Sequence, residues 1–295
     1  MKLGIDLGGT KIEIIALDDN GDELLRRRVA TPQGDYAATL QSIAGLVRTA
    51  EVELGQRGTV GIGTPGTLSK ATGLLKNSNS VHLNGKPVLQ DLASLLQREV
   101  RISNDANCFA LSEATDGAAA GASVVFGVIL GTGVGAGIVV NGKVLAGLNG
   151  IAGEWGHNPL PWPVAEELPG PECYCGLQGC VETFLSGPGM AKLHQRETGE
   201  ALSPDVIVAR AAEGDKGCER SLQHYENRLA RSLAHVINIL DPDVIVLGGG
   251  MSNIERLYTN VPLLWSRWVF SDRVDTRLVK NKFGDSSGVR GAAWL

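Results

Sequence analysis

The strongest constraint on the fold is a pattern that occurs twice, in which two short apolar strands flank a glycine-rich turn. The first copy spans residues 2–17 around Gly8-Gly9-Thr10-Lys11, and the second spans residues 124–140 around Gly131-Thr132-Gly133. Alternation of buried strands and tight turns is typical of strand–turn–strand units. A coarse repeat of such units predicts an α/β chain built from two similar halves.

The length of 295 residues also favours two lobes, because it exceeds what one hydrophobic core usually organises. We expect a small N-terminal α/β lobe over residues 1–118 and a larger one over residues 119–284, with a C-terminal helix, 285–295, packing back on the first. Apolar spacing and strand-like runs predict helices over residues 35–54, 91–99, 107–120 and 203–240, and strands over residues 23–29, 60–63, 100–103, 138–140 and 244–247.

Composition and charge argue against nucleic-acid and membrane partners. The net charge is −5, and the longest basic run, Arg26-Arg27-Arg28, is interpreted as a solvated strand end. No apolar stretch approaches the ~18 residues that a membrane span needs, and the N-terminus lacks a signal-peptide pattern. We therefore expect a cytoplasmic protein.

The first glycine turn has the chemistry of a phosphate-binding site. Asp6 ends a strand, where a carboxylate can hold Mg²⁺ directly or through water. Gly8 and Gly9 let backbone N–H groups point at phosphate oxygens, and Thr10 and Lys11 add further donors. The alternative is a plain hairpin turn, which Gly-Gly also suits.

The second turn, Gly131-Thr132-Gly133, has the same construction, so the two turns could clamp a triphosphate across a cleft. Neither matches the Walker-type loop or the dinucleotide fingerprint, whose glycines open a helix. A third glycine run, Gly248-Gly249-Gly250, follows a strand, where small backbone can lie flat against adenine. The alternative for that run is a helix-start turn.

A candidate general base follows the strand at residues 100–103. Asp105, in Asn104-Asp105-Ala106-Asn107, could accept a proton from a sugar hydroxyl as that oxygen attacks phosphorus, with the neighbouring amide orienting the hydroxyl. The alternative is that one of these residues caps the following helix. Capping by one of them is compatible with catalysis by Asp105.

The most specific feature is a cysteine-rich insert over residues 150–182. His157, Cys173, Cys175 and Cys180 supply one imidazole and three thiolates, a closed tetrahedral set for Zn²⁺. Four protein ligands leave no open coordination position, which predicts a structural zinc and not a catalytic one.

Two carboxylates, Glu154 and Glu182, flank this cluster. Carboxylates fixed by a rigid loop can each accept hydrogen bonds from neighbouring sugar hydroxyls. His157 could contribute through one ring nitrogen while the other binds zinc. The alternative is a pair of solvent-exposed glutamates.

These motifs together resemble the ROK (repressor, open reading frame, kinase) family over the whole chain. The resemblance is carried by Asp6–Lys11, by Gly153-Glu154-Trp155-Gly156-His157, by Cys173-x-Cys175-Gly176-x-x-Gly179-Cys180-x-Glu182 and by residues 288–293. It implies a two-lobed actin-like (ribonuclease H-like) ATPase fold with a zinc-binding loop. It also implies ATP and Mg²⁺ as cofactors, a structural Zn²⁺, and a homodimer.

The same resemblance implies the site residues. Asp105 is the implied catalytic base. The implied sugar ligands are Asn104, Asp105, Glu154, His157 and Glu182, to which we add Gly66 of the Thr64-Pro65-Gly66 turn. The implied nucleotide-binding positions are Asp6, Gly8, Gly9, Thr10, Lys11, Gly131, Thr132, Gly133, Gly248, Gly249 and Gly250, and the implied zinc ligands are His157, Cys173, Cys175 and Cys180.

Within the family, the chain is most similar to bacterial fructokinases with mannokinase activity, through residues 154–162 and 284–291. This implies phosphorylation of fructose at the 6-hydroxyl, with mannose and glucose as further acceptors. The alternative is an N-acetylglucosamine kinase or a glucokinase, although N-acetylglucosamine kinases tend to have Phe where this chain has Trp155. A sugar-responsive repressor is disfavoured, because its helix-turn-helix domain would precede the first phosphate turn, which here begins at Asp6. A non-catalytic sugar sensor is disfavoured, because the chain keeps Asp105 and both phosphate turns.

Overall fold

The computed structural model describes residues 1–78, 80–284 and 287–295. Their contacts divide the chain into two units. The first unit consists of Met1–Gly121, Gly137–Ala152 and Lys282–Leu295, and the second of Ala122–Ala136 and Gly153–Asn281. This division differs from the predicted boundaries at residues 118 and 284 chiefly in residues 137–152, which belong to the first unit.

Gly137 accounts for part of that difference. A Cβ atom at this position would lie 2.5 Å from the Ala106 carbonyl oxygen and 2.8 Å from the Cα of Asn107. Only a residue without a side chain permits this approach of two backbones, so the segment after Gly137 can pack within the first unit.

The first unit is built on a five-stranded sheet. Its strands are β1 (Lys2–Leu7), β2 (Lys11–Leu17), β3 (Glu23–Ala30), β4 (Thr59–Thr64) and β7 (Arg101–Asn104), in the order β3-β2-β1-β4-β7. A small hairpin of β5 (Thr67–Leu68) and β6 (Leu75–Lys76) follows β4. β1, β4 and β7 run parallel, while β1, β2 and β3 form antiparallel pairs. Most residues of β1 and β2 are apolar and buried, as expected for strands at the centre of a sheet covered on both faces.

The first unit also contains the helices α1 (Tyr36–Leu54) and α2 (Val88–Leu96), which lie between its strands in sequence, and α3 (Asp105–Thr115), which follows β7. The Asp35 side chain accepts a hydrogen bond from the Ala38 N–H and so caps α1, which ends at Gly55 in the left-handed conformation. Leu40, Ile43 and Val47 share one buried face of α1, as the predicted helical spacing requires.

The final helix, α9 (Ser287–Ala293), packs directly on the backbone of the first unit. Cβ atoms on Gly4 and Gly61 would lie 2.1 Å and 1.9 Å from carbonyl oxygens of α9, and one on Gly291 would lie 1.6 Å from the Cys108 oxygen. Glycine at these three positions lets the helix approach β1, β4 and α3 closely. The predicted helix over 285–295 is thus found from residue 287, and residues 285 and 286 lie outside the described residues.

The second unit contains most of the other five-stranded sheet. The strands of that sheet are β8 (Val124–Leu130), β9 (Val134–Val140), β10 (Lys143–Val144), β11 (Val244–Gly248) and β12 (Arg277–Lys280), in the order β10-β9-β8-β11-β12. β8, β11 and β12 run parallel. The helices of this unit are α4 (Val181–Leu185), α5 (Gly187–Thr198), α6 (Pro204–Ala212), α7 (Lys216–Leu240) and α8 (Leu257–Trp265). No helix in the described ranges is long and apolar enough to cross a membrane.

Several predicted boundaries are corrected by the structure. β9 begins at Val134 and not at residue 138, because the glycines after Val134 are part of the strand. α2 lies three residues earlier than predicted, and α3 begins at Asp105 and not at residue 107, because Asn104 caps it. The elements that were not predicted are the helices α4, α5 and α8 and the strands β5, β6, β10 and β12.

The basic run Arg26-Arg27-Arg28 lies on the edge strand β3. Arg26 and Arg28 both bind the carboxylate of Glu13, which is buried, and Arg27 binds Glu53. These three arginines therefore form ion pairs within the first unit.

Candidate active site

The predicted site residues of the first unit lie along one edge of its sheet. Asp6 on β1 pairs with Gly63 on β4, and Thr64 on β4 pairs with Asn104 on β7. These strands are parallel, so their carboxyl ends meet at one edge, where ligands of open α/β sheets commonly bind. The structure therefore brings together the first glycine turn, the turn at residues 64–66 and the Asn104-Asp105 pair.

The carbonyl oxygens of the first glycine turn are bound by residues that follow β3. The Thr31 hydroxyl donates to the Gly8 oxygen (2.8 Å), and the Thr31 N–H donates to the Thr10 oxygen (3.0 Å). The Gln33 amide donates to the Gly9 oxygen (2.7 Å). Within the described ranges, the N–H groups of Gly9 and Thr10 have no intramolecular acceptor. The turn thus offers two adjacent backbone donors, as an anion site requires.

Asp6, beside this turn, has a strongly perturbed carboxyl group. Burial, followed by the negative charges of Asp105 and Glu13, raises the pKa of Asp6 to about 6, against the opposing effect of Lys11 and Arg28. Two carboxylates that repel each other in a partly buried place are stabilised by a cation. Asp6 therefore fits the divalent metal that the sequence predicts at this position.

Asn104 is the residue that caps α3. Its side-chain oxygen accepts from the Asn107 N–H (2.8 Å), so the capping alternative is correct for Asn104. The Asn104 amide group makes no hydrogen bond within the described ranges and remains able to donate to a ligand. Asp105 is the first residue of the helix, is exposed, and accepts from the Ala106 N–H through one carboxylate oxygen (2.8 Å).

Gly66 is held in a conformation that favours glycine. Its φ is +84°, and a Cβ atom there would lie 2.4 Å from the Lys76 carbonyl oxygen. The turn after β4 can therefore fold against the β5–β6 hairpin while remaining next to Asn104 at the sheet edge.

The second glycine turn repeats the arrangement of the first within the second unit. The Gly131 N–H donates to the Gly133 oxygen (2.9 Å), and the Gly131 oxygen accepts from the Gly187 N–H (2.8 Å). The N–H groups of Thr132 and Gly133 have no acceptor among the described residues. Each glycine turn thus presents a pair of consecutive N–H donors.

A cavity of about 760 Å³ adjoins the second turn and lies wholly within the second unit. The lining residues include Gly131, Thr132, Ser203, Asp205, Gly250 and Met251. Of the predicted Gly248–Gly250 run, only Gly250 lines this cavity. Gly248 is buried as the last residue of β11, and Gly249 lies against β8, where a Cβ would be 2.4 Å from the Leu130 oxygen. The start of α6 was not predicted as part of this site, because no local motif marks it.

The four predicted zinc ligands come together in the insert. Their ligand atoms all lie within 4.8 Å of one another. The His157 Nδ1 lies 3.6 Å from the Cys173 sulfur, and the sulfurs of Cys175 and Cys180 are 3.6 Å apart. Tetrahedral zinc with bonds of about 2.0–2.3 Å separates its ligand atoms by about 3.5–3.8 Å. The separation is too long for a disulfide, so the residues present fit zinc.

The remaining ring nitrogen of His157 has a partner of its own. Nε2 lies 3.0 Å from the Tyr174 hydroxyl, and the two rings meet edge to face. This places Nδ1 on the metal side, so Nε2 is the atom available to a sugar hydroxyl or to Tyr174.

The two flanking glutamates differ in their surroundings. Glu154 is exposed, whereas Glu182 at the start of α4 is half-buried and accepts from the Val134 N–H (2.9 Å). Glu182 thus connects the insert to the second glycine turn, a link that the sequence did not predict. A Cβ on Gly133 would lie 2.8 Å from the Glu182 carboxylate, which explains glycine at that position.

Comparison with known proteins tests the predicted family and fold. The ROK family model matches residues 2–295. The chain belongs to the ROK family. A ROK hexokinase from Thermus thermophilus superposes with a TM-score of 0.88 at 31% identity, over 100% of this chain and 97% of that one. The predicted two-lobed α/β fold is thereby confirmed.

Two further ROK proteins bear on the substrates. An N-acetyl-D-glucosamine kinase of Pasteurella multocida (strain Pm70) is 43% identical over 301 residues, covering 100% of this chain and 99% of that protein. A ROK family glucokinase from Streptomyces griseus, solved in complex with glucose and AMPPNP, has a TM-score of 0.75 and 27% identity over 99% of this chain and 97% of that one.

The expected similarity to fructokinases is not supported by these relatives. That expectation depended partly on Trp155, which is 6% exposed and packs edge-on against Phe126 at 5.6 Å between ring centres. The residue at this position therefore contributes to packing within the second unit, which makes it a poor indicator of the sugar.

Proposed function

We propose that this ROK-family sugar kinase transfers the γ-phosphoryl group of ATP to the 6-hydroxyl of N-acetyl-D-glucosamine. The proposal depends chiefly on the 43% identity, over the full length of both chains, to an N-acetyl-D-glucosamine kinase. Similarity to a glucokinase that binds glucose with AMPPNP supports ATP as the phosphoryl donor. Fructose, which the sequence motifs favour, is the competing acceptor.

In this proposal, the first unit supplies the base and one phosphate turn. Asp105 accepts the proton of the attacking hydroxyl, and the free amide of Asn104 donates to a sugar oxygen. The N–H groups of Gly9 and Thr10 stabilise phosphate charge, and Lys11 adds a positive charge beside them. Charge stabilisation by fixed donors is the main contribution that a protein makes to phosphoryl transfer.

The second unit supplies the nucleotide pocket and further sugar contacts. The cavity beside Gly131 and Gly250 is large enough for a nucleoside, and Thr132 and Gly133 present their N–H groups at its edge. Glu154, His157 and Glu182 are the proposed acceptors of sugar hydroxyl hydrogen bonds. Selectivity among hexoses then depends on how the insert holds these three side chains.

Two metal ions belong to the proposal. Mg²⁺ would be held near Asp6 and would neutralise charge on the transferred phosphoryl group. Zn²⁺ would be held by His157, Cys173, Cys175 and Cys180 and would fix the insert without taking part in chemistry.

The decisive experiment is a coupled ADP-release assay with N-acetylglucosamine, fructose, mannose and glucose at equal concentrations. We expect kcat/KM for N-acetylglucosamine to exceed the value for fructose at least tenfold, because sites that hydrogen-bond a polar substituent discriminate strongly against sugars that lack it. A higher value for fructose would identify a fructokinase. Absence of ADP release with all four sugars would contradict the proposal.

We also propose that the protein is a homodimer, as the ROK resemblance implies. Light scattering should then give twice the chain mass of 31.0 kDa at micromolar concentration. A mass equal to that of one chain would contradict this.

A further inference from the structure

A buried group of charged side chains holds the middle of the insert, away from the zinc ligands. Glu167 lies in a single 3-10 turn, Ala165–Glu167, within the segment that separates His157 from Cys173. Only 6% of Glu167 is exposed. Its partners Arg228 and Arg231, one turn apart on α7, are 6% and 2% exposed.

The Glu167 carboxylate is fully engaged. Its Oε1 accepts from the Arg228 Nε (2.8 Å) and from the Arg231 Nη2 (2.8 Å). Its Oε2 accepts from the same Arg231 nitrogen (2.9 Å) and from the Val164 N–H (3.0 Å). Burial raises the pKa of Glu167, but the hydrogen bonds from Arg231, Arg228 and the Val164 N–H outweigh it and leave the pKa below its ordinary value. The group is therefore ionised at neutral pH.

Arg231 also binds the insert directly. Its Nη1 donates to the carbonyl oxygens of Pro161 (3.1 Å) and Trp162 (2.5 Å). The backbone at residues 161–162 and the side chain of Glu167 are thus tied to one guanidinium. The planar fork of arginine suits such simultaneous recognition, which a lysine ammonium cannot reproduce.

Arg228 connects the same group to the other end of the insert. Its guanidinium lies 5.4 Å from the centre of the Phe184 ring, two residues beyond Glu182 on α4. The segment that leaves His157 and the helix that carries Glu182 therefore both contact α7 through these two arginines.

Stability alone is a weak reason to bury these charges. Buried ion pairs are often no more stabilising than apolar residues of the same volume, because the cost of desolvating the charges offsets their attraction. A role in fixing one arrangement of the chain explains such pairs better. Zinc would fix residues 157, 173, 175 and 180 but would reach none of residues 158–172.

We propose that Glu167, clasped by Arg228 and Arg231, is a positioning residue that holds the insert so that Glu154, His157 and Glu182 meet the sugar. This inference rests on the proposed function, in which these three residues bind the sugar. In this inference, Glu167 and its two arginines hold the part of the insert that contains no zinc ligand, residues 158–172.

The test compares Glu167→Gln with the matched control Glu226→Gln. Glu226 is also a buried carboxylate of the second unit, 3% exposed and on α7, but it binds Arg256 and Asn260. Both substitutions remove one buried charge from an ion pair. Only the first affects the insert, so the control accounts for a general loss of stability.

Steady-state kinetics and zinc content give the first readout. We expect Glu167→Gln to raise KM for N-acetylglucosamine at least tenfold, with KM for ATP changed less than twofold and zinc content unchanged. Glu226→Gln should change neither KM more than twofold. Equal increases in both KM values for Glu167→Gln, or an unchanged KM for the sugar, would overturn the proposal.

Hydrogen exchange gives a readout that does not require turnover. Amides of residues 158–172 should exchange faster in Glu167→Gln than in the wild type and in Glu226→Gln, and unchanged exchange would overturn the proposal.

A second variant serves if Glu167→Gln does not fold. Arg231→Lys keeps the charge but loses the bonds to Pro161 and Trp162, so it should also raise KM for the sugar and speed exchange over residues 158–172. A wild-type protein that phosphorylates no hexose would refute the proposed function, while the exchange data would still decide whether Glu167 holds the insert.

Discussion

Individual carboxylates in this chain meet opposite environments. Asp6 is half-buried beside the like charges of Asp105 and Glu13, and its pKa is raised to about 6. Glu167 is buried, but two arginines hold its pKa below the ordinary value. Perturbed groups that lack a neutralising partner of this kind are common at functional sites. The contrast supports a functional role for Asp6 and a positioning role for Glu167.

Asp6→Asn should stabilise the protein while inactivating it. The folded pKa of about 6 exceeds the ordinary value of 3.8, so ionisation of Asp6 costs stability progressively as pH rises between these values, and the cost is complete above pH 6. Urea unfolding at pH 7.5, without nucleotide or added Mg²⁺, should show a gain of roughly 1–3 kcal/mol, which disappears near pH 4. Turnover should fall at least a hundredfold. A less stable variant at pH 7.5 would contradict this account.

Asp105→Asn should separate sugar binding from catalysis. The amide keeps the shape of the side chain but cannot accept the hydroxyl proton, so kcat should fall by about 10²–10⁴-fold. Calorimetry should show a sugar Kd within about threefold of wild type. Turnover near the wild-type rate would remove Asp105 from the role of base.

At the scale of helices and strands, apolar periodicity predicted several elements correctly. The strands around both glycine turns and the helix at residues 36–54 follow from apolar periodicity. β9 was predicted too short because the alternating glycines of Val134–Gly137 resemble a turn, whereas in the structure they belong to the strand and Gly137 packs closely on the backbone of α3. α8 was not predicted; it contains Pro262, and proline inside a helix is generally unfavourable.

Contacts between distant segments could not be predicted in the same way. Glu167 is 61 and 64 residues from its two arginines, and the Glu182 bond to the Val134 N–H spans 48 residues. No periodicity or motif marks such pairs. The zinc ligands are an exception, because the chemistry of one imidazole and three thiolates identifies the set despite the gap between His157 and Cys173.

Bound zinc should keep the insert, residues 150–182, in one structure. Metal analysis should find one zinc per chain, and Cys175→Ser should lose it, because one missing thiolate opens the tetrahedral set. We expect faster hydrogen exchange over residues 153–182 and a rise of about 10–100-fold in KM for the sugar. Cys218→Ser is the matched control, since Cys218 is a buried cysteine on α7 outside the cluster. Unchanged sugar affinity in zinc-free protein would contradict the prediction.

Across the whole molecule, paired carboxylates predict how stability depends on pH. Hydrogen bonds from Arg98 lower the pKa of Glu51, those from Arg256 lower the pKa of Glu219, and bonds led by the Cys218 N–H lower the pKa of Asp215 to about 2. A carboxyl group whose pKa is lowered on folding stabilises the protein above its unfolded pKa, and this contribution is lost as pH falls through the folded value. Asp6 acts in the opposite direction between pH 4 and 6.

The free energy of unfolding should therefore be highest near pH 4–5, decline from there to about pH 6 as Asp6 ionises, and fall steeply from about pH 4 toward pH 2. Glu51→Gln tests the acid limb, because Glu51 receives both arms of Arg98 at 2.6 and 2.8 Å and the Gly58 N–H at 2.9 Å. At pH 7 this variant should lose roughly 1–3 kcal/mol, since hydrogen bonds to charged groups contribute about that much. The difference from wild type should shrink as pH falls below 4, when the wild-type carboxylate is itself protonated. Urea titrations at pH 2.5, 4, 5.5 and 7 measure both curves, and a constant difference at all four values would show that Glu51 stabilises the first unit by packing and not by charge.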